Sequence, residues 1–112
     1  MGGGQTLRVL TTSPEQFAYF GVWSAGLFGG NAEEWAKRNE AFLSAADRVN
    51  RTVKRLEICV GDRDSLAAAG SKALAEVLEK RGIKHEVHIS GGGHTWINWR
   101  HYLSEFAPEL FR

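Results

Sequence analysis

The chain has 112 residues, with 14 Lys and Arg against 13 Asp and Glu, four His, one Cys and thirteen Gly, a length for one domain. A formal net charge of +1 supplies no field to draw nucleic acid or an anionic membrane, so neither is expected as a partner, and the lone Cys59 excludes an internal disulfide framework. No apolar run nears the roughly 20 residues of a spanning helix, no signal peptide is recognisable at the start, and the compartment is left undetermined.

Gly2, Gly3 and Gly4 come first, followed by Leu7, Val9 and Leu10. A glycine run suits a turn or close backbone packing. A helix is expected over 5–13, ended by Pro14. Aromatic residues and Val22 predict a buried strand over 17–23. Residues 24–31 read as a loop, with Asn31 capping the next helix and Glu33 and Glu34 in its first turn. Trp35, Phe42, Leu43 and Ala46 recur at helical spacing and predict an amphipathic helix over 32–47. Arg48, Arg51, Lys54 and Arg55 have acidic residues on both sides and read as a solvated linker, not a ligand patch.

A short strand over 56–60 ends at Gly61, and a polar loop comes next at 62–65. Leu66, Ala69, Ala73, Leu74, Val77 and Leu78 predict a helix over 66–81, with Gly82 as its C-terminal cap. Gly70 on that face costs roughly 1 kcal/mol against Ala, or marks close packing. Alternation predicts a strand over 84–89, and 90–95 is a glycine loop. Trp96, Trp99, Leu103, Phe106 and Leu110 mark a last helix. Helices alternating with strands predict an α/β fold, a parallel sheet of about three strands with flanking helices.

Ligands of such sheets gather at the carboxyl ends of the strands. Two loops lie there. One carries Asp62 and Asp64, the other His94 after Gly91, Gly92 and Gly93. A carboxylate beside an imidazole holds one tautomer and stabilises the imidazolium, which a general base needs. Asp64 or Ser65 equally suits a cap of the helix from 66, and spacing alone does not separate the two roles. His85 and His88 point to opposite faces of a strand, and His101 lies on the last helix. Neither a metal site nor a cofactor is expected. Met1 to Thr6 fits an N-myristoylation pattern and Asn50-Arg51-Thr52 a glycosylation sequon, and both are discounted as chance matches. Trp96 and Trp99 either border an aromatic pocket or pack the helix.

Together these segments resemble the C-terminal half of the esterase family of α/β-hydrolases. That family holds feruloyl and acetyl-xylan esterases, enterochelin-esterase-like proteins and S-formylglutathione hydrolase. The tail Gly92-Gly93-His94-Thr95-Trp96, then Trp99-Arg100, is most similar to the feruloyl-esterase-like branch. The likeness implies that His94 is the triad histidine. Ile58-Cys59-Val60-Gly61-Asp62-Arg63-Asp64 resembles the strand-end segment whose second acidic position is the triad acid, which implies Asp64 over Asp62. Met1-Gly2-Gly3-Gly4-Gln5 is similar to the residues just after the serine of the nucleophile elbow. Chain order in this fold is Ser, acid, His. The resemblance thus implies that residues 1–112 are the C-terminal half of one esterase domain, starting one place after the nucleophile. Ser13, Ser24 and Ser65 lie outside an elbow context. Met1 would hold the position of an oxyanion donor.

A βαβ unit takes about 30 residues, so a sheet of about eight strands takes on the order of 240. The function implied is a serine-type carboxylic-ester hydrolase acting on carbohydrate-linked or aromatic acyl esters, with this chain inactive alone. Two other readings stay open, a non-catalytic truncated or binding fragment and an acyl transferase of the same fold. A sheet cut beside its nucleophile strand exposes an edge, so self-association is expected.

Overall fold

A computed structural model describes residues 1–27 and 32–111. Helix α1 (Gly2–Thr12) leads into strand β1 (Tyr19–Trp23). Three short helices come next, α2 (Ala32–Arg38), α3 (Glu40–Leu43) and α4 (Ala46–Thr52). Then come β2 (Arg55–Gly61), α5 (Ala68–Lys80), β3 (Glu86–Ser90) and α6 (Trp96–Phe106). The strands form one sheet in the order β1-β2-β3, parallel throughout. Tyr19 stands opposite Arg55, and Glu57 opposite Glu86. Parallel neighbours need crossovers, and the α2–α4 segment and α5 supply them. The expected α/β class, three parallel strands and flanking helices are all present.

The central strand is the buried one. From Leu56 to Gly61 every residue of β2 is buried, whereas Glu86 to Ile89 of β3 are exposed. Phe20, Val22, Leu56 and Ile58 share one buried cluster with Leu7 and Leu10 of α1, Phe42, Leu43, Val49, and Leu74 and Leu78 of α5. Helix α6 covers the other face. Its Tyr102 and Phe106 rings meet Trp23 with centroids 6.1 and 5.7 Å apart.

Several sequence expectations need new boundaries. Helix α1 begins at Gly2, not at residue 5. At Gly3 a Cβ would stand 2.5 Å from Ala25 Cβ and 2.7 Å from the Trp23 carbonyl. Glycine there lets the helix start directly against the end of β1. The helix expected over 32–47 is three pieces. At Asn39 the backbone leaves helical angles, and its side-chain amide donates to the Trp35 carbonyl at 2.8 Å. Asparagine side chains compete with the helix ladder in this way. The expected linker at 48–55 is instead the end of α4 and the start of β2, with Val49 only 1% exposed. The Asn31 cap lies outside the described residues.

Gly82, at φ +72°, ends α5 as expected. The Ile83 N–H returns to the Leu78 carbonyl at 3.0 Å, the pairing of a left-handed C-terminal turn. Gly70 is a close-packing glycine, its carbonyl accepting the Leu27 N–H at 3.1 Å.

Candidate active site

Two loops leave the carboxyl ends of β2 and β3 and are fastened to each other. The Asp62 N–H donates to the Ser90 carbonyl at 2.8 Å, and the Arg63 N–H to the Gly92 carbonyl at 2.9 Å. The Gly92 N–H returns a bond to Asp62 Oδ1 at 3.0 Å. Gly92 sits at φ +95°, a region that L side chains rarely adopt. A Cβ on Gly61 would collide with the Gly92 carbonyl. The glycines therefore allow two loops to lie closer than side chains would permit.

This stitching brings Asp64 to His94. His94 Nδ1 lies 2.9 Å from Asp64 Oδ2. Asp64 is 1% exposed, and its Oδ1 accepts the Leu66 and Ala67 N–H groups at 3.0 and 2.9 Å. Capping the helix and pairing with histidine are rival roles for Asp64 by sequence. In the structure α5 begins at Ala68 after Ala67, with no side-chain cap. The Asp64 carboxylate instead closes the turn before α5 with one oxygen and meets His94 with the other. With an ionised carboxylate and a neutral imidazole, Nδ1 is the donor of this pair and the lone pair lies on Nε2. Among the described residues no protein group pairs with that nitrogen. Asp62 takes a different part, holding the glycine loop.

His94 opens on a cleft of about 720 Å³ shared with Met1, Gly2, Gly3, Ser24, Trp96 and Trp99. The start of α1 thus faces the imidazole across open space. Trp96 is 73% exposed and is no core residue. Trp99 is half-buried behind the histidine.

A family model described as "Putative esterase" matches residues 1–110. The chain belongs to that family. It is 26% identical over 113 residues to a protein of Xylanibacter ruminicola named Endo-1,4-beta-xylanase/feruloyl esterase, covering 100% of this chain and 13% of that one. A solved structure described as a ferulic acid esterase superposes with a TM-score of 0.75 at 18% identity. It covers 97% of this chain and 47% of its own, so the chain spans about half the length of that structure. The likeness carries the fold, including the three parallel strands.

Within this esterase-family fold, two supporting contacts are not evident from the sequence. Asn98, 7% exposed, donates from Nδ2 to the Gly93 carbonyl at 2.8 Å and so braces the loop that ends in His94. A buried Asn within an otherwise apolar helix face was the available signal. The Ser90 and Tyr102 hydroxyls lie 2.6 Å apart and tie the end of β3 to α6.

A second polar cluster lies on the α6 face of the sheet. Glu57, Glu86 and His88 bring ligand atoms within 4.8 Å of one another. Sequence spacing pits His88 against His85 and overlooks the two glutamates, which the β2–β3 register places beside it. The cationic place is filled by Arg55, whose Nη2 lies 3.3 Å from Glu57 Oε2 and 2.9 Å from Glu86 Oε2.

Proposed function

We propose that Asp64 and His94 are the acid and base of a serine-type carboxylic-ester hydrolase, and that residues 1–112 form the C-terminal half of its domain. The observation that carries this is the 2.9 Å His94 Nδ1–Asp64 Oδ2 bond at the carboxyl ends of β2 and β3, with Nε2 left unpartnered beside the cleft. Family membership and the 47% coverage of the ferulic acid esterase support it.

The nucleophile in this reading is a serine of the elbow immediately ahead of Met1 in the whole domain. His94 Nε2 takes the serine proton as Oγ attacks the ester carbonyl carbon. The oxyanion of the tetrahedral intermediate accepts backbone N–H groups, that of Met1 among them. Collapse expels the alcohol, which receives the proton from His94. Water then attacks the acyl-enzyme, again giving its proton to Nε2, and the carboxylic acid leaves as serine is restored. Asp64 keeps Nδ1 as the donor throughout and stabilises the imidazolium. Trp96 and Trp99 border the cleft and suit a flat aromatic acyl group, so carbohydrate-linked or aromatic acyl esters are the substrate class.

The test is hydrolysis of feruloyl and p-nitrophenyl esters. In a protein that joins these residues to the elbow serine, His94→Ala should lower kcat on the order of 10⁴-fold. The 112 residues alone should show no turnover that depends on His94. Turnover by the 112 residues that His94→Ala abolishes and a serine-directed phosphonate blocks would place the nucleophile within them and overturn this assignment.

A further inference from the structure

A hydrogen bond at Nδ1 fixes one point of an imidazole. The ring can still swing about that point, which bends the Nδ1–H···O bond, opens its proton to water and carries Nε2 away from a nucleophile. A second contact is needed to fix the ring plane, and the structure contains one. Trp99 meets His94 edge to face, with ring centroids 5.1 Å apart and planes at 87°. The indole is itself anchored. Trp99 Nε1 donates to Ser24 Oγ at 2.9 Å, across 75 positions of sequence.

Ser24 is an unusual anchor. It comes directly after β1, is 3% exposed, and holds φ at +51°, in the left-handed region that favours glycine. Its N–H donates to the Cys59 carbonyl at 2.7 Å, which locks it to the end of β2. A non-glycine residue in this conformation is uncommon and gathers at sites where geometry matters. Glycine would relieve the backbone but would lose the hydroxyl that holds the indole.

We propose that Ser24 and Trp99 are positioning residues for His94, a two-part brace that fixes the imidazole plane while Asp64 fixes its tautomer. The proposal rests on the reading of His94 as the base. Neither residue touches the reacting atoms; in this role both act through the histidine, while Trp99 separately borders the cleft. The brace joins all three strands at the cleft, with Ser24 after β1, Asp64 after β2 and His94 after β3.

The variants are Ser24→Gly, Ser24→Ala and Trp99→Leu. The first measurement uses the 112-residue chain and needs no turnover. It tracks exchange of the His94 Nδ1 proton with water by NMR, with the melting temperature recorded in parallel. Exchange should quicken at least about fivefold in all three variants. Ser24→Gly should show this without a fall in melting temperature, because it relieves the left-handed backbone; a general loss of folding would move both readouts together. The second measurement uses the protein with the elbow serine. There kcat should fall about tenfold in Ser24→Gly with KM within twofold, and Ser24→Ala should fall alike. Unchanged His94 proton exchange in folded Ser24→Gly and Trp99→Leu overturns the brace whether or not the protein cleaves esters. Quickened exchange in a protein that cleaves no ester leaves the brace standing and overturns the hydrolase reading instead.

Discussion

Cys59 shows how far the surroundings of one side chain can set its chemistry. It is 1% exposed, and its thiol donates to Glu57 Oε1 at 2.9 Å. Burial first, then the neighbouring carboxylate, hold the thiol above its ordinary value of 9.0. The folded chain keeps this proton at a pH where the unfolded chain has lost it. The resulting stability is fully present below pH 9.0 and is lost as pH rises beyond it. A disulfide reagent at pH 8 should therefore label the urea-unfolded chain and spare the native one. Above pH 9 the urea midpoint should fall more steeply than in Cys59→Ala. Rapid labelling of the folded chain would contradict the burial. Residues at this scale were unevenly legible. The strand-end loops mark Asp62, Asp64 and His94 alike as candidates, and only the family resemblance separates Asp64 from Asp62. Ser24 did not stand out, because a positive φ leaves no mark in a sequence when the residue is not glycine.

The elements were more legible where a periodic face met a deep core. Helix α5 came within two residues of its expected span, because its buried Leu74 and Leu78 repeat at helical spacing. Both are 0% exposed. Replacing Leu74 by Ala removes packing that its neighbours cannot refill, and should cost about 2–5 kcal/mol of unfolding free energy. Urea denaturation with an unchanged slope would measure it; a loss under 1 kcal/mol would mean that the sheet–α5 layer is looser than its burial indicates. The 32–47 segment reads as one helix because its apolar spacing is truly helical. What breaks it is local polar competition at Asn39 and a change of backbone angles at Ala45. Ion pairs such as Arg81–Glu40, 2.6 Å apart between the residue after α5 and the start of α3, join these elements without any sequence signal, since their positions lie 41 apart.

At the scale of the whole molecule, β1 and β3 each pair on one side only among the described residues. Parallel sheets are ordinarily covered on both faces, and unpaired edges are templates for other strands. Val87 and Ile89 on β3 are 43% and 63% exposed, and Phe17 beside β1 is 56% exposed. The 112-residue chain by itself should therefore form oligomers in a concentration-dependent way by light scattering. A monodisperse monomer with one sharp melting transition would refute this. The two oxygens of Asp64 carry a separate consequence. One holds the turn before α5 and the other holds His94. The turn before α5 and the orientation of His94 are thus tied through one carboxylate. A chain whose α5 has come loose, during synthesis or under stress, carries a histidine with no oriented partner. In the hydrolase reading proposed above, such a half-folded form should cleave esters far more slowly than the folded one.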